Sequence, residues 1–263
     1  MDSAYSKLSR AKQHLDFFKS EIHAYRARDP ICFTYRQRKD PLDSSQIIVE
    51  YIALVNEEPP NEWGLILGDI LTNLRAALDH TLFSHISARQ TLTDQEAKSI
   101  QFPILDDVSK WEKWEKRNAD WVEPAVAQAI LAAQPFKSDD LSDHPVWVLN
   151  QLVNYDKHRT LHVVAHRGEA TFDKRSASVR QLSDKATKLA DNAVIATMKL
   201  LRPVGAPGQE PSSSLVKFEG EAGFIEHIDI PGRSATHLGA LRLMEVLTEL
   251  VEEMLDDLRT AGC

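Results

Sequence analysis

The chain has 263 residues, 43% hydrophobic and 27% charged, with a net charge of −8. That length makes one large domain or two small ones, and the composition excludes a disordered or fibrous chain. The acidic balance argues against a surface that grips nucleic acid throughout, while leaving room for a local basic pocket.

In chain order, the N-terminus MDSAYSKLSRAKQHLDFF is charged from the start and has no apolar signal core. It reads as a helix, because Leu8, Ala11, Leu15, Phe18, Ile22 and Tyr25 recur at steps of three and four and fall on one face. Asp29-Pro30 should end it, since the residue before proline is pushed out of the helical region. Ile31 to Arg36 and Gln46 to Val55 read as strands joined by a turn around Asp40-Pro41 and Asp43-Ser44-Ser45. Asn61 is the expected cap of a long helix from Glu62 to Ser87, with Leu67, Ile70, Leu71, Leu74, Leu78 and Leu82 as its stripe. Thr93 and Glu96 have capping-box spacing for a short helix. Further helices are expected over Ser109 to Asn118, Pro124 to Ala133 and His144 to about Arg159, the last with Pro145 in its first turn.

After Thr160 the texture turns β-like: LHVVAH, AVIATMKLL, LVKFEGE and FIEHIDI, with Glu221-Ala222-Gly223 as a hairpin turn and a loop over Pro203 to Ser214. Ala235 to Leu258 returns to helical spacing through Leu238, Leu241, Leu247, Val251, Met254 and Leu258. The reading is an α+β fold: an antiparallel helical bundle from about 1–30, 60–160 and 233–260, with β elements over about 31–55 and 160–232, in a single domain. Two cysteines, Cys32 and Cys263, cannot staple such a chain, so a reducing compartment and no structural disulfide are expected. No apolar run reaches the roughly 18–20 residues of a membrane span. A cytoplasmic protein without membrane contact is expected.

Two polar clusters stand out. The first is Asn73-Leu-Arg75-Ala-Ala-Leu-Asp79-His80. On a helical wheel Asp69, Asn73 and His80 share a face, and Arg75 and Asp79 flank the apolar stripe four residues apart. The second is Asn150, Asn154, Asp156, Lys157, His158 and Arg159, with Asp156 and Arg159 turned toward the packed side of their helix. Polar groups so close to a buried stripe are either paired or line a cleft.

The stretches EWGLILGDILTNLRAALDH, QFPI, QPF and LVNYDKHRTLHVV resemble a group of uncharacterised bacterial proteins sharing NLRxALDH and DKHR motifs. More widely, Arg75-Ala-Ala-Leu-Asp-His80 resembles the Arg-x4–6-His motif of the HEPN superfamily, helical and usually dimeric ribonucleases. Active members often carry a polar residue after the arginine, where this chain has Ala76, and place the motif later in the bundle. The resemblance implies a HEPN-like bundle and a metal-independent endoribonuclease, a toxin or defence effector, with RNA as partner, a homodimer, no cofactor and no DNA. His80 would be the general acid or base and Arg75 would stabilise the phosphorane. Asp156, His158 or Arg159 would supply a second group, with Asp79 and Asn73 alongside. On a straight helix, Arg75 and His80 lie about 140° apart. The competing reading is a non-catalytic binding or scaffold protein in which Arg75 and Asp79 are an i,i+4 ion pair within a structural network.

His158-x3-His162-x3-His166 would stack as metal ligands on a helix, but Leu161, Val163 and Val164 favour a strand there, so no metal is expected. Trp111, Trp114 and Trp121 lie in a run of mixed charge, which favours packing over base stacking. No phosphate-binding glycine loop, G-x-S-x-G elbow or H-E-x-x-H motif is present.

Overall fold

The computed structural model describes residues 1–43, 45–172, 179–184, 188–201, 220–229 and 238–263. The fold is α+β. Its helices are α1 (Asp2–Arg26), α2 (Glu62–Ser87), α3 (Asp94–Ser99), α4 (Val108–Asn118), α5 (Pro124–Ala132), α6 (Pro145–Asp156) and α7 (Ala240–Thr260). Its strands are β1 (Ile31–Lys39), β2 (Gln46–Val55), β3 (His162–Phe172), β4 (Val179–Asp184), β5 (Ala193–Leu201) and β6 (Gly220–Asp229). The chain divides into two compact units. The helical unit comprises Met1–Glu21, Asn61–His162 and Ala240–Cys263, and the β unit comprises Ile22–Pro60 and Val163–Gly239.

In the helical unit, α2 packs against α6 and α7, and α5 also meets α7. The stripe read from the sequence of α2 is the buried one: Leu67, Ile70, Leu71, Leu74, Leu78 and Leu82 are all withdrawn from solvent. Each such side chain contributes roughly 1.5–3 kcal/mol of transfer free energy. Helix α1 is tied on by Tyr5, whose hydroxyl donates to Asp256 at 2.6 Å, and by the Lys12–Glu252 ion pair at 2.6 Å. Phe18 meets the buried Trp63 edge to face, with ring centres 5.5 Å apart. Trp111 and Trp114 are buried and stack at 5.0 Å, anchoring α4.

Two glycines let the end of α6 and the chain beyond it approach α2. A Cβ on Gly64 would collide with the backbone carbonyl of Leu161, and one on Gly68 would lie 2.7 Å from the Asp156 carboxylate. At Gly64, where the obstacle is backbone, only glycine permits so close an approach.

In the β unit, one sheet has the order β1-β2-β5-β4, and β3 pairs with β6 in a second. Strand β2 is central and largely buried, pairing antiparallel with β1 (Ile31 opposite Val55) and with β5 (Gln46 opposite Leu201). The edge strand β1 carries Arg36 and Arg38, which both reach Glu50 on β2. Charges on an edge discourage pairing with other chains. Arg26 forks onto the buried Glu226 at 2.8 and 2.5 Å, neutralising the only charge that β6 buries among the described residues.

Three expectations about elements are corrected, and one strand was missed. Asn61 is itself helical (φ −63°, ψ −29°) and its side chain caps nothing. Glu221-Ala222-Gly223 is not a turn, because β6 runs through it; among the described residues no atom lies within 4 Å of a Cβ position at Gly223. Leu238 precedes α7 and is 39% exposed. Strand β4 went unread, since VRQLSD carries neither clear alternation nor a β-branched run. The loop expected over 203–214 and the start of LVKFEGE lie outside the described residues. The capping box of α3 is present, with Thr93 accepting from Glu96 N–H and Glu96 accepting from Thr93 N–H. Cys32 and Cys263 are both free thiols. Among the described residues no helix is long and apolar enough to cross a membrane.

Candidate functional site

The first polar cluster closes on the backbone of one irregular segment. Phe102 follows α3 and belongs to no helix or strand, so its amide and carbonyl need partners from elsewhere. Asp79 Oδ1 accepts from Phe102 N–H at 2.8 Å, and Arg75 Nη2 donates to Phe102 O at 2.6 Å. The two side chains also hold each other, Arg75 Nη2 lying 3.1 Å from Asp79 Oδ1. They can do so because a four-residue step brings them to the same side of α2. Their side chains are only 14% and 26% exposed, which strengthens the charged hydrogen bonds. Arg75 Nη1 is buried with no acceptor.

A third side chain completes this clasp. Gln134, fully buried just after α5, donates to Pro103 O at 2.9 Å and accepts from Leu105 N–H at 3.0 Å. The NLRxALD, FPI and QPF stretches therefore meet at residues 102–105. Gln134 was not among the site residues read from the sequence. Gln134 lies beyond the end of α5 in extended conformation, so no helical periodicity marks it in the sequence.

His80 goes elsewhere. Its Nδ1 lies 2.7 Å from the Ser3 hydroxyl at the start of α1, and the ring is half-buried. Arg75 and His80 thus hold different partners, as their angular separation on α2 requires. Asn73 donates to Asp69 O of its own helix at 2.8 Å.

In the second cluster, Asp156 is half-buried against Gly68. Burial pushes its carboxyl above the usual aspartate range, and the nearby Asp69 charge adds to that. No cation offsets this among the described residues. His158 and Arg159 are exposed beyond the end of α6, and Arg159 lies over the Tyr155 ring at 5.8 Å. The expectation that Arg159 faces the packed side is corrected: α6 stops at Asp156, so its wheel does not extend to position 159. Among the described residues His158, Arg159 and Asp156 form no bond to Arg75 or His80; what is brought together is Arg75, Asp79 and Gln134.

His162 begins β3 and is exposed, whereas the side chain of His166 lies outside the described set. Among the described residues no group of three His, Cys, Asp or Glu side chains is placed to hold a metal ion.

A cavity of about 230 Å³ opens beside the clasp. Phe102, Ala129, Val146 and Met254 contribute apolar surface to it, and His144, Glu253 and Asp257 contribute polar groups. His144 occupies the cap position of α6, but its side chain caps nothing. Burial lowers its pKa below the usual imidazole value. No protein-family model, curated protein or solved structure matches this chain.

Proposed function

We propose that this is a non-catalytic binding or scaffold protein, in which the Arg75–Asp79 pair is structural. The observation that carries this reading is the clasp. Arg75 spends Nε and Nη2 on Asp79 and on the carbonyl of Phe102, its Nη1 is closed to solvent, and Asp79 spends its carboxylate on Arg75 and on the amide of Phe102. A group that stabilises a phosphorane must instead aim its donors at an open site where charge develops. The acidic net charge favours the same reading, since RNA binding draws on basic surface.

The second reading, a HEPN-type metal-independent endoribonuclease acting as toxin or defence effector, is favoured by one feature. His80 is half-buried, and its Nδ1 touches only a serine hydroxyl. A ring so held keeps a second nitrogen for acid–base work.

One assay separates the two. Purified protein is incubated with total and synthetic RNA in excess EDTA, beside His80→Ala and Arg75→Ala variants whose fold is checked by circular dichroism. The expected result is no cleavage by any of the three, with Arg75→Ala less stable than the parent. Cleavage that leaves 2′,3′-cyclic phosphate ends, and is lost in a well-folded His80→Ala variant, overturns the proposal in favour of the ribonuclease.

A further inference from the structure

We propose that the cavity between the ends of α2 and α4 binds a small organic carboxylate carried on an aromatic body. This rests on the binding-protein reading above and names its ligand class.

Three observations converge. The first is space with an aromatic wall. The cavity measures about 180 Å³, room for roughly six waters at about 30 Å³ each, and lies wholly within the helical unit. Leu82 and Ile86 toward the end of α2, Ile100 just after α3, and Trp114 and Trp121 supply its apolar surface. Such a lining favours a compact ligand with a flat hydrocarbon part.

The second is charge. In a chain with 39 acidic and 31 basic residues, no aspartate or glutamate lines this cavity and one arginine does, Arg117 in the last turn of α4. Arg117 is exposed and forms no ion pair among the described residues. Lys113 and Lys116 on the same helix are exposed as well, but do not line the cavity. A guanidinium left free beside an apolar wall presents a planar fork of N–H groups that fits a carboxylate.

The third is a set of donors without acceptors. Asn118 and Trp114 both line the cavity and are each only 8% exposed. Asn118 gives one N–H to Trp114 O at 2.7 Å and keeps the other. The indole N–H groups of Trp114 and Trp121 meet no acceptor among the described residues, and neither is sealed from solvent. A carboxylate has two oxygens and about four acceptor positions to offer such donors. An ammonium would meet Arg117 as a like charge, and a neutral aromatic molecule would leave the guanidinium unanswered.

The walls are held from behind. Trp114 stacks on Trp111, which does not line the cavity. The 99–101 segment runs directly into Phe102, whose amide and carbonyl are gripped by Asp79 and Arg75. Walls fixed in this way reduce the ordering cost of binding.

The test is calorimetric titration of the full chain with 3-phenylpropionate, beside the neutral 3-phenylpropanol and the cationic 3-phenylpropylamine, which keep the ring and the chain length. Saturable binding of the acid is expected, with affinity at least about fivefold above that of the alcohol and no binding of the amine. Arg117→Gln should weaken the acid about fivefold or more, leave the alcohol unchanged and leave the unfolding curve in place, because the side chain is exposed. Lys113→Gln removes an equal charge from the same helix away from the cavity, and should leave the affinity for the acid as it was. Absence of saturable binding, equal affinity for acid and alcohol, undiminished affinity in Arg117→Gln, or an equal loss in Lys113→Gln would each overturn the proposal. These outcomes are separate from the RNA assay: a failed titration removes the carboxylate site alone, and RNA cleavage removes the non-catalytic reading alone.

Discussion

Phe102 is a single residue outside regular structure, and two charged side chains are spent on its amide and its carbonyl. Gln134 treats Pro103 and Leu105 the same way. Replacing one partner leaves the other buried and unanswered, and that asymmetry sets the expected cost. Gln134→Leu keeps the volume and removes the bonds, so it should destabilise the helical unit by about 1–3 kcal/mol in urea unfolding. His80→Ala should change stability by less than about 0.5 kcal/mol, because its hydroxyl contact with Ser3 is replaceable by water. A large loss in the second variant and none in the first would reverse the roles assigned to these residues. The closeness of Arg75 and Asp79 is legible in the sequence, since helical spacing alone sets it. That their shared partner is a backbone segment more than twenty residues further on is not, because no local pattern encodes it.

At the scale of the element, the meeting of α2 with the end of α6 depends on Gly64 and Gly68. Helix propensity alone would favour alanine at either site by about 1 kcal/mol. At Gly64 the obstacle is the backbone carbonyl of Leu161, which cannot turn aside, so Gly64→Ala should cost about 1–3 kcal/mol or more despite that gain. At Gly68 the obstacle is the Asp156 carboxylate, a side-chain end that can rotate. Gly68→Ala should therefore be clearly the milder variant, as thermal unfolding of the pair would reveal. In the sequence these glycines lie within a helical pattern; their spacing of four marks a shared face, but not what approaches it. The helical stripes of α1 and α2 were legible because each repeats the helical period; that of α7 was legible only in part, since Leu238 lies outside the helix and Leu241 is half-buried, and β2 was legible from its run of Ile, Val and Tyr. The corrected turn at Glu221-Ala222-Gly223 shows the limit of that logic: a glycine usually read as punctuation was overruled by pairing with a distant strand.

Over the whole molecule, the chain leaves the helical unit for the β unit and returns, twice. Stability at this scale carries a dependence on pH set by buried titratable groups. Burial lowers the pKa of both His85 and His144, and the Arg89 charge adds to this at His85. A depressed imidazole leaves stability intact above its ordinary value of 6.5 and takes it away as pH falls below that, because the unfolded chain then binds protons that the folded chain refuses. Asp156 works in the opposite direction. Its raised pKa costs stability at neutral pH, and the cost is relieved as pH falls through the raised value toward 3.8. Melting temperature should accordingly drop between pH 7 and pH 5, before the carboxylates titrate widely. His85→Leu should flatten that drop, and Asp156→Asn should raise the melting temperature at pH 7 with a gain that shrinks in acid. An unchanged slope in His85→Leu would show that this histidine does not carry the effect.

The sequence by itself determined the α+β class, most helix positions, the buried stripes and the adjacency of Arg75 to Asp79. All of these are local, fixed by the period of a helix or strand and by which side chains avoid water. Only the tertiary structure decided that Arg75 and His80 serve different partners, that Gln134 joins the clasp, that β4 exists, and that Leu82, Trp114, Arg117 and Trp121 line one cavity. Those facts depend on which distant segments come to lie beside each other. That is settled by the packing of whole helices and sheets, and the sequence records its outcome only as isolated polar residues with no visible reason to be where they are.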